Sequence, residues 1–213
     1  MSRGLRERLR LVFRAGPAGT EHDDGPEAST GQLPWIQFVA FTEDCLVSGH
    51  IQLDSDRLSD TLNAHEEYQL CDVLVESLED GRSIHADEVP LDRDELLAVL
   101  TDGPRGDPTR WIRTLAHPVT FKAGPYLIRG NLHALPGMEP LASARRRRPM
   151  IPLSDASIEY RSSGTTLVSL AGTIVVNRAT ADWIQLGFAP PSALADLELA
   201  GVTATGSVAS GRR

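Results

Sequence analysis

Short runs of apolar and β-branched residues, bounded by polar turns, follow one another through the middle of the chain. Two of them, at 35–42 and 45–53, are separated by a pair of acidic residues, and this spacing predicts a β-hairpin. Two further runs, at 71–78 and 85–91, meet across a glycine-containing turn. Alternation of apolar and polar side chains in these runs indicates strands that turn one face to a core.

Helical patterns interrupt the strands at two places in this half of the chain. A helical turn is predicted over 58–63, with Asp56 as its N-cap and Asn63 as its stop. A second short helix is predicted to open at Asp92 and to continue through the apolar stretch up to the Gly–Pro pair at 103–104. The predicted order of elements is therefore β-β-α-β-β-α.

The second half of the chain repeats the landmarks of the first half in the same order. Three blocks match, at offsets of 81, 83 and 85 residues: 47–51 with 128–132, 70–76 with 153–159, and 89–93 with 174–178. The growth of the offset fits insertions in loops between matched elements. Gly49 and Gly130 fall inside strand patterns, where glycine marks a bulge or a close backbone approach. Gly81 and Gly164 fall at turns that need positive φ.

We therefore predict an α+β protein, mainly β with short helices, made of two tandem β-rich units at 34–107 and 108–190. Each unit is small, so it would be stabilised by packing its apolar sheet face against the other unit as a pseudo-two-fold pair. Short bent strands would also permit an Sm-like or similar small barrel. The terminal segments, 1–33 and 191–213, are rich in Gly, Ala, Pro and Ser, which is typical of disorder.

The first sixteen residues place four apolar residues at helical spacing among five arginines. They predict either a basic amphipathic helix that contacts an acidic partner or a lipid surface, or a frayed terminus. The apolar run at 11–13 is too short for a signal peptide, and no run approaches the roughly 18 residues of a membrane span. The sequence predicts a cytoplasmic protein.

Charge divides the chain at the boundary between the two predicted units. Residues 43–107 carry a net charge of −14 and residues 108–190 carry +6. Opposite charges on the two units favour head-to-tail self-association or a protein partner with matching patches. Divergence of surface charge without function is the alternative.

The segment 57–63, with the sequence RLSDTLN, lies between the blocks 47–51 and 68–73. These residues resemble a family of bacterial domains of unknown function with the pattern G-x-hydrophobic … RLSDxLN … L-x-D. The resemblance covers some sixty residues of the first unit and implies no activity. The second unit departs from it, since residues 141–148 with their run of four arginines stand at this place.

The candidate interaction residues are the polar members of these two segments: Arg57, Ser59, Asp60, Asn63, Arg145, Arg146, Arg147 and Arg148. A structural interpretation of 57–63 is a helical plug, in which Leu58 and Leu62 cover the end of the sheet. The arginine run either is solvated, contacts the acidic first unit, or grips phosphates in a barrel-like module that binds RNA or nucleotides. The low aromatic content of 5% disfavours base stacking.

Signatures of catalysis and of cofactor binding are missing from the sequence. It contains no GxGxxG, GxxxxGK[ST], HExxH or GxSxG motif, and its two cysteines are 26 residues apart. His50, His85 and Asp72 are the one set whose approach would suggest a metal site. We predict no catalytic residue, no cofactor and no metal, and a non-enzymatic bacterial interaction or scaffold module is the leading hypothesis.

Overall fold

The computed structural model of the protein describes residues 34–100, 109 and 112–188. Within them the chain is mainly β, and ten strands form one open antiparallel sheet. The strands are β1 (Trp35–Phe41), β2 (Cys45–Gln52), β3 (Glu67–Ser77), β4 (Ser83–Asp92), β5 (Ala98–Leu100), β6 (Leu115–Ala123), β7 (Tyr126–Ala134), β8 (Met150–Ser162), β9 (Thr165–Asn177) and β10 (Trp183–Leu186). The helices are α1 (Leu58–Ala64) and α2 (Pro140–Arg146), and single 3₁₀ turns occupy Arg93–Glu95 and Arg178–Thr180.

Both hairpins predicted from the apolar runs are confirmed. β1 pairs with β2 from Trp35 opposite Gln52 to Phe41 opposite Leu46, and β3 pairs with β4 in the same antiparallel sense. Alternate residues of these strands, such as Val73 in β3, are fully buried, as the period of two requires. The helical turn predicted over 58–63 is confirmed as α1.

The prediction of a helix that begins at Asp92 is wrong beyond the first turn. Asp92 and Glu95 form a capping box, but the helix ends after the 3₁₀ turn and the next residues form strand β5. β5 lies between β1 and β9, so both of its edges are paired. Because Ala98 and Val99 are also fully buried, tertiary pairing outweighs the local helix preference.

The order of elements is the same in 35–100 and in 115–186. Each range has two strands, a helix, two strands, a 3₁₀ turn and a short strand. The strand orders in the sheet are β5-β1-β2-β3-β4 and β10-β6-β7-β8-β9. The register repeats as well. Trp35 lies opposite Gln52 in the first half, and the residues 81 positions further along the chain, Ala116 and His133, lie opposite each other in the second half.

Gly49 and Gly130 mark bulges, as their places in the strand patterns predicted. The register of β2 against β3 shifts at Gly49, and that of β7 against β8 shifts at Gly130. A Cβ atom on Gly130 would lie 2.9 Å from two side chains of β8, so the strands approach too closely for any other residue. In the facing strands, Asp72 and Asp155 adopt φ of 51° and 47°.

The two halves are joined edge to edge through β5 and β9. Ala98 lies opposite Val176, and Leu100 lies opposite Ile174. β5 is the fifth strand of the first half, and β9 is the fourth strand of the second half. A two-fold axis would pair equivalent strands with each other. The predicted pseudo-two-fold arrangement is therefore not the one found. The sheet is open, with β4 and β10 at its two ends, and the strand pairing of the described residues does not close into the predicted small barrel.

Both hydrophobic cores draw residues from the two halves. The core of the first half includes Met150 and Val175, and the core of the second half includes Phe41. The Phe41 ring packs edge-on against the Tyr126 ring at 5.3 Å between centroids. The Tyr126 hydroxyl donates a hydrogen bond of 2.7 Å to the carbonyl of Thr42. We therefore expect the two halves to unfold together.

Several predictions fall on residues that the structure does not describe. They are the amphipathic helix at 1–16, the disordered segments at 1–33 and 191–213, and the helix end at 103–104. Among the helices of the described ranges, none has both the length and the apolar character needed to cross a membrane.

Candidate functional site

The segment 57–63 forms the start and body of α1. Arg57, rather than the predicted Asp56, is the N-cap residue, and its side chain makes no capping hydrogen bond. Leu58 and Leu62 are buried in the core of the first half, as a structural plug requires. Ser59 is buried beside them, and Asp60 is exposed.

Asn63 connects α1 to the second half of the chain. Its side-chain amide donates to the carbonyl of Ser59 at 2.7 Å and to the carbonyl of Met150 at 2.8 Å. Its side-chain oxygen accepts from the Met150 backbone N–H at 3.1 Å. Asn63 therefore closes the end of α1 and fixes the start of β8, which is a structural role.

Tyr68 holds the other side of the same helix end. Its hydroxyl donates to the carbonyl of Leu62 at 2.5 Å and contacts the carbonyl of His65 at 3.1 Å. Burial of the phenol raises the pKa of Tyr68 to about 12. The pKa of the nearby Asp54 is lowered, and the largest cause is its hydrogen bonding to Thr61.

Tyr68→Phe is expected to lower the stability at neutral pH by about 1 kcal/mol, because the carbonyl of Leu62 loses the hydrogen bond from the phenol. The wild type should also lose stability as the pH rises from about 10 through about 12, since the unfolded phenol ionises first and the folded pKa is raised. Urea unfolding at several alkaline pH values measures this loss. It should be smaller in Tyr68→Phe, and an equal loss in both proteins would contradict the assignment.

The arginine run lies at the end of α2 and just beyond it. Arg145 and Arg146 form the last turn of the helix and Arg147 is its C-cap. All four side chains of the run, including Arg148, are exposed. The Arg147 guanidinium donates to the carbonyl of His133 at 2.7 Å, which holds it against β7.

Arg57 and Arg147, one from each half, line the same cavity of about 610 Å³. The cavity is also lined by Thr114, His133 and Ser154. The imidazole of His133 joins the two hydroxyls, with Nε2 at 2.8 Å from Ser154 Oγ and Nδ1 at 3.1 Å from Thr114 Oγ1. The remaining lining residues are Ile112, Pro152, Leu153, Asp155 and Thr173.

The structure thus brings together two of the eight candidate residues. The other six do not line this cavity: Ser59, Asp60, Asn63, Arg145, Arg146 and Arg148. Sequence patterns did not indicate the group formed by Thr114, His133 and Ser154. These residues come from three consecutive segments of the second half, and their only signal is polar side chains at neighbouring strand positions.

A second feature missed from the sequence is a buried ion pair. Both terminal nitrogens of Arg129 lie 3.0 Å from one carboxylate oxygen of Glu159. Only 13% of the Arg129 side chain and 7% of the Glu159 side chain are exposed. Arg129 also lines a second cavity, of about 560 Å³, together with Leu170 and Phe188.

His50, His85 and Asp72 do approach one another. His85 Nε2 lies 2.9 Å from one oxygen of Asp72, and His50 Nδ1 lies 3.8 Å from the other. All three side chains are largely exposed. In the described part of the chain, no group of three or more His, Cys, Asp or Glu side chains is placed to hold a metal ion.

No protein-family model, no curated protein and no solved structure matches the chain. The resemblance of the segment 57–63 to a bacterial family of unknown function therefore stays a prediction.

Proposed function

We propose that the protein is a non-enzymatic scaffold module that associates head to tail with further copies of itself. The β4 edge of one molecule pairs with the β10 edge of the next. The observation that carries this proposal is the β5–β9 junction inside the chain, which joins the fifth strand of one half to the fourth strand of the other. Among the strands that the structure describes, the two ends of the sheet are again a fourth strand, β4, and a fifth strand, β10.

We propose with it that the chain is a tandem duplication of units at 34–107 and 108–190. The repeated order of elements, the repeated strand order and the matching registers support this. The register shift recurs at Gly49 and Gly130. Positive φ recurs in the facing strand at Asp72 and Asp155, an unusual conformation for residues other than glycine.

The internal junction specifies the register of the proposed contact between molecules. In the β5–β9 ladder, Ala98 lies opposite Val176. The residue 85 positions after Ala98 is Trp183 in β10, and the residue 85 positions before Val176 is Leu91 in β4. The same ladder between molecules therefore places Trp183 of one molecule opposite Leu91 of the next. In the same register, Leu186 at the end of β10 lies opposite Glu88. Leu186 is 49% exposed, and an unpaired strand edge offers a row of free backbone groups to another strand.

The distribution of charge supports the same contact. Residues 43–107 carry −14 and residues 108–190 carry +6. Head-to-tail pairing brings the acidic half of one molecule beside the basic half of the next. Because exposed charges are screened by salt, the association is expected to weaken as ionic strength rises.

Pro90 makes the contact between molecules weaker than the junction within the chain. It lies in β4 at the place that Val175 holds in β9. A proline in an edge strand turns its nitrogen away from the paired strand, and it has no N–H to donate. The ladder between molecules therefore lacks one hydrogen bond, which favours reversible association and prevents tight aggregation.

Light scattering after size exclusion, at low and high salt, tests the proposal. We expect oligomers at low salt that dissociate at high salt. Pro90→Val restores the missing donor and should tighten association by roughly three- to tenfold. Pro118→Val is the matched control, since Pro118 lies in β6, which has neighbours from its own chain on both sides. Monomers at both salt concentrations, with Pro90→Val also monomeric, would contradict the proposal.

A further inference from the structure

We propose that the cavity between Arg57 and Arg147 binds the phosphate group of a small phosphorylated ligand. The two arginines come from different halves of the chain, and both residues line a single cavity. Planar guanidinium groups match the geometry of phosphate oxygens and stay charged at all physiological pH values. This site does not depend on self-association, because all of its residues belong to one molecule.

Both arginines have donors to offer to a ligand. Arg57 is half-buried and, among the residues that the structure describes, its side chain has no hydrogen-bond or ion-pair partner. Arg147 uses one terminal nitrogen to bind the carbonyl of His133. A guanidinium carries five N–H groups in a fixed fork, so most of those of Arg147 stay available.

One of the two hydroxyls of Ser154 and Thr114 can supply a neutral donor at the same cavity. Each is half-buried, and each is held by one ring nitrogen of His133. A neutral imidazole donates through one nitrogen and accepts through the other. The hydroxyl that accepts from the ring therefore keeps its own O–H for an oxygen of the ligand.

The remaining lining residues select among anions. Asp155 contributes one carboxylate against two guanidinium groups, so the cavity favours a single phosphate group over a polyanion such as an RNA backbone. Ile112 and Leu153 add apolar surface for the body of the ligand. A volume of about 610 Å³ lies within the usual range for small-molecule sites.

Calorimetric titration of the full chain in chloride buffer tests this site, with inorganic phosphate, adenosine monophosphate and adenosine as probes. We expect phosphate and the monophosphate to bind and adenosine to fail. Arg57→Gln should weaken binding about tenfold or more, because a charge-assisted hydrogen bond is lost. Arg145→Gln removes the same charge from a neighbouring position outside the cavity and should leave the affinity unchanged.

Three results would overturn the proposal. The first is no binding of either phosphate compound by the wild type. The second is equal weakening by Arg57→Gln and Arg145→Gln, with both variants melting at the wild-type temperature, since this indicates attraction by diffuse charge. The third is tighter binding of a single-stranded oligonucleotide that Arg145→Gln weakens, because that result assigns the arginines to nucleic acid.

Discussion

Replacing Phe41 with alanine is expected to lower the free energy of unfolding by about 3–5 kcal/mol. Phe41 belongs to the first half but is 2% exposed in the core of the second half. Its ring contacts the rings of Tyr126 and Tyr160 edge-on, at 5.3 and 5.7 Å. The truncation therefore leaves a cavity at the place where the two halves pack together.

Calorimetry and urea unfolding measure this effect and its cooperativity. We expect one transition for the wild type and one, at lower stability, for Phe41→Ala. Phe188→Ala is the matched control, because Phe188 is 59% exposed and should change the stability by less than about 0.5 kcal/mol. Two separate transitions in the wild type would show that the halves fold independently. This result would contradict the joint unfolding that the shared cores predict.

Glu159→Ala is expected to destabilise the fold by about 3–5 kcal/mol, because it leaves a buried guanidinium without its carboxylate. Arg129 and Glu159 lie on the neighbouring strands β7 and β8, and both side chains are largely buried. Removing the Glu159 carboxylate takes a charged partner from Arg129, so the cost of burying its guanidinium is less well compensated.

The double variant Arg129→Leu/Glu159→Leu separates this cost from the attraction of the pair. It should be more stable than Glu159→Ala, since no charge is left buried. Urea unfolding at neutral pH gives both values. A double variant less stable than Glu159→Ala would mean that the pair contributes net stability beyond the penalty of an isolated charge.

The strands with alternating side chains could be predicted from the sequence, and so could the two bulges. A hairpin needs only local information: an apolar period of two and a turn. Gly49 and Gly130 are informative because a glycine weakens the interior of a strand and usually stands there to allow a bulge or a close backbone approach.

The short strands β5 and β10 could not be predicted in this way. β5 has three residues, and its conformation depends on pairing with β1 and β9, which lie far away in the sequence. The same limit applies to the cavity at Arg57 and Arg147. Nothing local indicates that an arginine before α1 and another after α2 line one cavity, since their approach follows from how the two halves are joined.

Disulfide cross-linking between two singly substituted chains tests the head-to-tail contact most directly. One chain carries Glu88→Cys and the other carries Leu186→Cys, both with Cys71→Ser, because Cys71 lies directly opposite Glu88. Opposed Cα atoms in an antiparallel ladder are about 4.5–5.5 Å apart, within the range that a disulfide spans.

The proposed register predicts a disulfide-linked dimer when the two chains are mixed and oxidised. Each chain alone should stay monomeric on a non-reducing gel. Leu170→Cys in place of Leu186→Cys is the control, since Leu170 is 80% exposed but lies in β9, which takes no part in the proposed contact. Failure of the mixture to form the dimer, or equal dimer formation with the control, would contradict pairing of the β4 and β10 edges.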